Sequence, residues 1–163
     1  MKRLTLLAGI LLLAVSVGCQ QQTADELTHE PSIYTPVRAD EPLQEALSSP
    51  VKNYLTALET HDYALLMTCA ADTLPLCRNE TAFFEYTAGL DTARLEQIDW
   101  DTLTADGKDY LLRVFYTLDF TDRFTDLDGT LREPCTEEHI ELFRLSNEAG
   151  IYYLTDQQMT GAG

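Results

Sequence analysis

Four acids crowd one short stretch of this chain: Asp122, Asp126, Asp128 and Glu133. Within it, Asp126-Leu-Asp-Gly-Thr-Leu131 carries the letters of a phosphate-transfer motif. That chemistry needs the first Asp at the end of a buried parallel strand, with a large α/β domain behind it. Too little chain follows here, so Asp128-Gly129 reads as a turn between antiparallel strands. The same acids suggest a calcium loop. Counting back from Gly129 as its sixth position puts Phe124 first, where an EF-hand needs Asp, so only an irregular cation site would fit. Cys135, Glu137 and His139 alternate and carry metal-ligating atoms. Alternate strand residues sit about 7 Å apart, too far for three to share one small ion, so they read as an exposed polar strand entry. His29 and His61 have no evident Ser or Cys partner, which removes triad chemistry. The sequence assigns no catalytic residue, no metal site and no cofactor.

The elements that would position these groups follow from periodicity. Ser49-Pro50 reads as a helix start, with Val51, Tyr54, Leu55 and Leu58 on one stripe. Asp62 is placed to cap a second helix carrying Tyr63, Leu66, Met67 and Ala70. Asn79 is placed to cap a third, through Phe83, Phe84 and Tyr86, ended by Gly89. From Ala93 the period changes. Residues 93–103 predict a bulged strand, and Asp106-Gly107 a hairpin turn. Tyr110, Leu112, Val114, Tyr116, Leu118 and Phe120 then form one apolar face, with Arg113, Phe115, Thr117 and Asp119 on the other. His139 to Leu145 predicts a third strand, and Ile151 to about Thr155 a fourth. Helices followed by an antiparallel meander give an α+β domain, with the helices on one face of a curved sheet of about four strands.

The start of the chain gives an address. Lys2 and Arg3 precede the apolar run Leu4–Val17, and Ser16-Val17-Gly18-Cys19 closes it. The run has the length of a signal h-region and is short for a membrane span. It resembles a bacterial lipoprotein signal, which implies cleavage before Cys19 and a diacylglyceryl group on its thiol. Residues 19–47 are polar and punctuated by Pro31, Pro36 and Pro42, and read as a flexible tether, with the domain spanning 48–163. Losing residues 1–18 removes Lys2 and Arg3 and no acid, taking the formal net charge from −16 to −18. Nucleic acid needs a basic face and is excluded as a partner, as is docking on anionic headgroups. Of the three other cysteines, Cys69 and Cys77 flank a short turn and are candidates for a disulfide in an oxidising compartment. Cys77 with Cys135 is the competing pair.

Val51-Lys-Asn-Tyr-Leu-Thr-Ala-Leu-Glu-Thr-His-Asp-Tyr63 resembles the opening helix and Asp-Tyr break of small bacterial nuclear transport factor 2-like domains, the cystatin-like α+β cone. Ile140-Glu-Leu-Phe-Arg-Leu-Ser-Asn-Glu-Ala-Gly-Ile-Tyr-Tyr153 resembles their closing hairpin. The resemblance implies a cavity between sheet and helices, lined here by Tyr54, Tyr86, Leu112, Val114 and Tyr116. Some members of that family are isomerases, cyclases or dehydratases, and many are non-catalytic binding modules. An isomerase of this fold pairs a carboxylate with a tyrosyl donor in an apolar pocket, and Tyr54, Tyr63, Tyr86, Tyr116 and Asp119 are the types required. Tyr116 and Asp119 fall on opposite strand faces, which weighs against that pair. The reading is therefore a lipid-anchored extracytoplasmic binding module. Its expected partners are a membrane, through the anchor, and a small apolar ligand or an envelope protein, with a homodimer through the sheet face carrying Phe115. The alternative is a small cone-fold enzyme using a Tyr/Asp pair.

Overall fold

The computed structural model describes residues 34–162. The expected signal segment 1–18, Cys19, His29 and most of the expected tether lie outside the described residues. Strand β1 (Thr35–Pro36) leads into helix α1 (Glu41–Glu59), α2 (Tyr63–Cys69), a 3-10 turn (Pro75–Cys77) and α3 (Glu80–Thr87). Strands β2 (Leu90–Asp106), β3 (Asp109–Phe120), β4 (Phe124–Thr125), β5 (Leu131–Arg132), β6 (Cys135–Glu148) and β7 (Ile151–Ala162) follow. Helices therefore precede an antiparallel meander, as expected. The sheet order is β1-β2-β3-β6-β7, with β4 and β5 forming a separate small ribbon. Four long strands carry the sheet, and the fifth, β1, is a two-residue margin drawn from the segment expected to be tether. No helix among the described residues is long and apolar enough to cross a membrane.

Helix α1 starts eight residues before the Ser49-Pro50 signal. Asp40 is its cap, its side chain accepting from Leu43 N at 3.1 Å, and Pro42 sits in the first turn. Cap plus early Pro is the same start pattern, placed upstream. Pro50 then falls inside the helix, where its missing N–H leaves the Ala46 carbonyl without a helical partner. Burial of Leu47, Val51, Tyr54, Leu55 and Leu58 along one stripe holds the helix across that defect. The other two caps form as predicted. Asp62 accepts from Leu65 N at 2.9 Å, and Asn79 from Thr81 N at 3.0 Å.

Strand β3 alternates strictly. Leu112, Val114, Tyr116, Leu118 and Phe120 are buried against the helices, and Arg113, Phe115, Thr117 and Asp119 are half-buried on the outer face. Leu112 and Val114 are fully buried with Leu47, Val51, Leu66, Phe83 and Phe143 in the core. Pairing of β2 with β3 slips at three places, between Leu90 and Thr92, Leu95 and Gln97, and Asp99 and Thr104. These bulges curve the sheet around the helices and realise the irregular strand expected over 93–103.

Gly89 ends α3 for a reason other than a left-handed turn. Its carbonyl accepts from Thr121 N at 2.8 Å and Asp122 N at 3.3 Å, where β3 turns toward β4. A Cβ on residue 89 would lie 2.2 Å from the Asp122 carbonyl oxygen. Gly107 differs: its φ of 58° serves the β2–β3 hairpin, and the space around it is open. The outer margin of β7 is met by the chain after α2. Ala71 N donates to Leu154 O at 2.7 Å, and the Thr73 hydroxyl to Thr155 O at 2.6 Å.

Cys69, Cys77 and Cys135 are free thiols, so neither expected pairing is formed in this structure. Cys69 closes α2 with its Sγ donating to Leu66 O at 3.3 Å, and Cys77 is buried in the 3-10 turn. Burial, and then the neighbouring Cys77, pushes the Cys69 thiol up to about 12. Burial pushes Cys77 up to about 11, so neither is a ready thiolate.

Candidate functional site

A cleft of about 490 Å3 opens between the sheet and the helical layer. Its apolar wall comes from Leu74, Pro75 and Leu76 of the α2–α3 connection, with Leu127 and Met159. Its floor is polar and is built on alternate residues of β6. Glu137, His139 and Glu141 share the inward face of that strand with Phe143 and Leu145. Strand periodicity places them there, continuing into the cleft the face that deeper down is core.

His139 lies flat on Tyr116, its cross-strand partner, with ring centroids 4.7 Å apart and planes 4° from parallel. Its Nε2 is 3.3 Å from Glu137 Oε2 and its Nδ1 is 3.3 Å from Glu141 Oε1. A neutral imidazole has one N–H, whereas both nitrogens here face carboxylate oxygens, so the ring is an imidazolium. Burial opposes that charge. The hydrogen bonds to Glu137 and Glu141 outweigh it and push the pKa up to about 9. Glu141 is 4 % exposed. Its second oxygen accepts from the Gln157 amide, which also donates to the Tyr116 hydroxyl at 3.1 Å. Tyr54 donates to Gln157 Oε1 at 3.2 Å. Two carboxylates, an imidazolium, an amide and two phenols thus form one connected network, and burial raises both phenol pKa values.

Tyr86 stands apart from that network. Its ring is wedged edge-on against Phe120 and Phe124, with centroids 5.6 and 5.8 Å away. It is 6 % exposed and lines the cleft. Among the described residues its hydroxyl has no hydrogen-bond partner.

No family model matches the chain, and no curated protein matches it significantly. Solved structures do. An uncharacterised protein from Caulobacter vibrioides with a cystatin-like fold superposes with a TM-score of 0.52 at 12% identity, covering 72% of this chain and 89% of that one. A Nostoc punctiforme protein of unknown function with a cystatin-like fold gives 0.55 at 8% identity, over 76% and 93%. A protein of unknown function from Mycobacterium tuberculosis gives 0.53 at 9%, over 74% and 71%. The fold is cystatin-like. At these identities the likeness concerns architecture alone.

Of the residues expected to line a cavity, Tyr54, Tyr86 and Tyr116 reach the cleft, while Leu112 and Val114 lie in the core beneath it. The Tyr116/Asp119 pair does not converge. Asp119 sits on the outer face, accepting from Thr136 Oγ1 at 2.7 Å and Thr92 Oγ1 at 3.0 Å. Tyr116 meets Glu141 through Gln157 instead. Glu137 and His139 belong to this floor and not to an exposed strand entry; only Cys135 is exposed. No group of ligating side chains among the described residues is arranged to hold a metal. Asp126 and Glu133 are spent on Arg132 and Arg123, each at 2.8 Å, and Asp128 accepts from Thr130 N at 2.8 Å within its turn.

Proposed function

We propose that this chain is a lipid-anchored extracytoplasmic protein that binds a small amphipathic molecule in the cleft. One observation carries the binding reading: a buried, hydrogen-bonded polar floor under an apolar wall, in a space of ligand size. Binding is favoured over catalysis because Tyr54, Tyr116 and Glu141 are bonded to one another through Gln157. The floor carboxylate with an open oxygen, Glu137, holds its other oxygen against His139, and no phenol among the described residues is hydrogen-bonded to it. The anchor reading rests on the Leu4–Val17 run and Cys19. Mass spectrometry of the full chain purified from its native membranes tests both parts. The expected result is a diacylglyceryl adduct on Cys19 and a co-purifying small molecule that is lost when Leu76→Trp fills the cleft. An unprocessed chain with a free thiol at residue 19 would overturn the anchor. A clean apoprotein whose Leu76→Trp variant is indistinguishable from it would overturn the bound ligand.

The outer face of the sheet supports a second contact, between two copies of the chain. Leu111, Phe115, Ile140 and Leu142 alternate there with Arg113 and Arg144 in the register Leu111–Arg144, Arg113–Leu142 and Phe115–Ile140. The Arg113 side chain is 43 % exposed and Phe115 half-buried, so a facing copy would meet a mixed apolar and basic surface. Phe115→Arg is expected to convert a dimer to a monomer in sedimentation equilibrium, with the unfolding temperature kept. A wild-type protein that sediments as a monomer at high loading concentration would sink this contact.

A further inference from the structure

The cleft carries a charge imbalance that bears on what enters it. Its ionisable lining is Asp126, Glu137, Glu138 and Glu141 against Arg132 and His139. Asp126 neutralises Arg132 at 2.8 Å. His139 is shared by two carboxylates, so the floor keeps one uncompensated negative charge, and Glu138 adds another at the rim. The formal charge of the whole chain is −16, which makes the surrounding field negative too.

Two polar groups in the cleft are not consumed by the network. One is the Tyr86 hydroxyl, on a side chain more than nine-tenths buried and without a protein partner among the described residues. The other is Glu137 Oε1, whose protein contact is a long one, 3.9 Å to Cys135 Sγ. A thiol is a weak donor, and at that distance the oxygen keeps its capacity to accept. An anionic ligand would face Glu137 and Glu141 with only an already shared imidazolium to meet it. A neutral alcohol would gain the hydrogen bonds but no charge attraction. An ammonium N–H would gain both at Glu137, and the phenol oxygen of Tyr86 would accept a further bond.

We infer that the cleft selects an organic cation: a primary or secondary amine whose apolar or aromatic body lies on Leu74, Leu76, Leu127 and Met159. The inference rests on the cleft being a ligand site, as proposed above. It adds the charge class of the ligand and the atoms that read it.

Titration calorimetry at pH 7 on the full chain separates the two ideas, using three probes of matched shape: 2-phenylethylammonium, 2-phenylethanol and 3-phenylpropanoate. The ammonium is expected to bind about tenfold or more tighter than the alcohol, with the carboxylate weakest. Added salt should narrow the gap. Glu137→Gln should bring the ammonium to the level of the alcohol, and Leu76→Trp should abolish binding of all three. If the alcohol or the carboxylate binds as tightly as the ammonium, the charge class fails while the ligand site stands. An ammonium preference that survives Glu137→Gln also overturns the assignment. If none of the three binds, both readings fall.

Discussion

Replacing His139 with Phe is expected to cost the fold about 3–5 kcal/mol at pH 7. The phenyl ring keeps the stacking surface on Tyr116, so the loss comes from charge. Glu141 is 4 % exposed and would keep only neutral partners, the Gln157 amide and the Tyr116 phenol. Removing one partner of a buried pair leaves the other as an uncompensated ion. Urea unfolding measures the loss, and a His139→Phe protein as stable as wild type would refute the ion network.

The same group sets a pH window. The folded pKa of about 9 lies above the ordinary 6.5, so the folded state binds the proton more tightly than the unfolded chain. Its stabilisation is complete below pH 6.5 and is lost as pH rises through 9, on the order of 3 kcal/mol. The groups facing the ring are Glu137 and Glu141 on β6 and Tyr116 on β3, with Tyr54 of α1 and Tyr86 of α3 also lining the cleft. Burial holds all three phenols above their ordinary value, so they stay neutral through the window. Wild-type stability should fall across it, and His139→Phe should be flatter.

Gly89→Ala is expected to cost about 3 kcal/mol or more. The obstacle is backbone: the Asp122 carbonyl oxygen lies 2.2 Å from where the methyl would be, and no rotamer change relieves it. Relief means separating the end of α3 from the β3–β4 corner, which breaks the bonds from Thr121 and Asp122 to the Gly89 carbonyl. Gly107→Asn is the control. Its backbone is left-handed but the surroundings are open, and Asn tolerates that conformation, so a cost of about 1 kcal/mol or less is expected. Thermal unfolding of the two variants in parallel tests the contrast. Equal losses would mean that conformation, not contact, makes glycine necessary at residue 89.

What the sequence revealed follows the reach of local rules. The alternation of β3 from Tyr110 to Phe120, the Asp62 and Asn79 caps, and the Asp106-Gly107 hairpin are each specified by residues next to one another, and each formed. Two features escaped. The α1 start was obscured because Ser49-Pro50 repeats the cap-and-proline signal that Asp40 and Pro42 had already given. Gln157 and Met159 lie beyond the strand expected over Ile151 to about Thr155, since β7 runs on to Ala162, and a bulge in β7 also hides their face. Leu145 pairs with Leu154 but Arg144 with Asp156, so Thr155 is extra and the inward parity shifts from even to odd positions. Counting by twos from Leu154 sends Gln157 to the wrong face. Glu137-x-His139-x-Glu141 was legible as one strand face. Missing was the observation that Phe143 and Leu145 continue that face into the core, which makes a polar run there an inward-looking one.

The contacts of Ala71 and Thr73 with β7, together with the short β1 carrying Pro36, have a consequence for self-association. A bare sheet border is a template on which another chain can zip itself, and repeated zipping yields fibrils. Here one border is clasped midway by the protein's own loop, and the other is covered at Thr104 and Ala105 of β2 by a two-residue strand whose Pro36 has no amide hydrogen to offer. Both devices shorten the run of edge on which a second chain could add itself strand by strand.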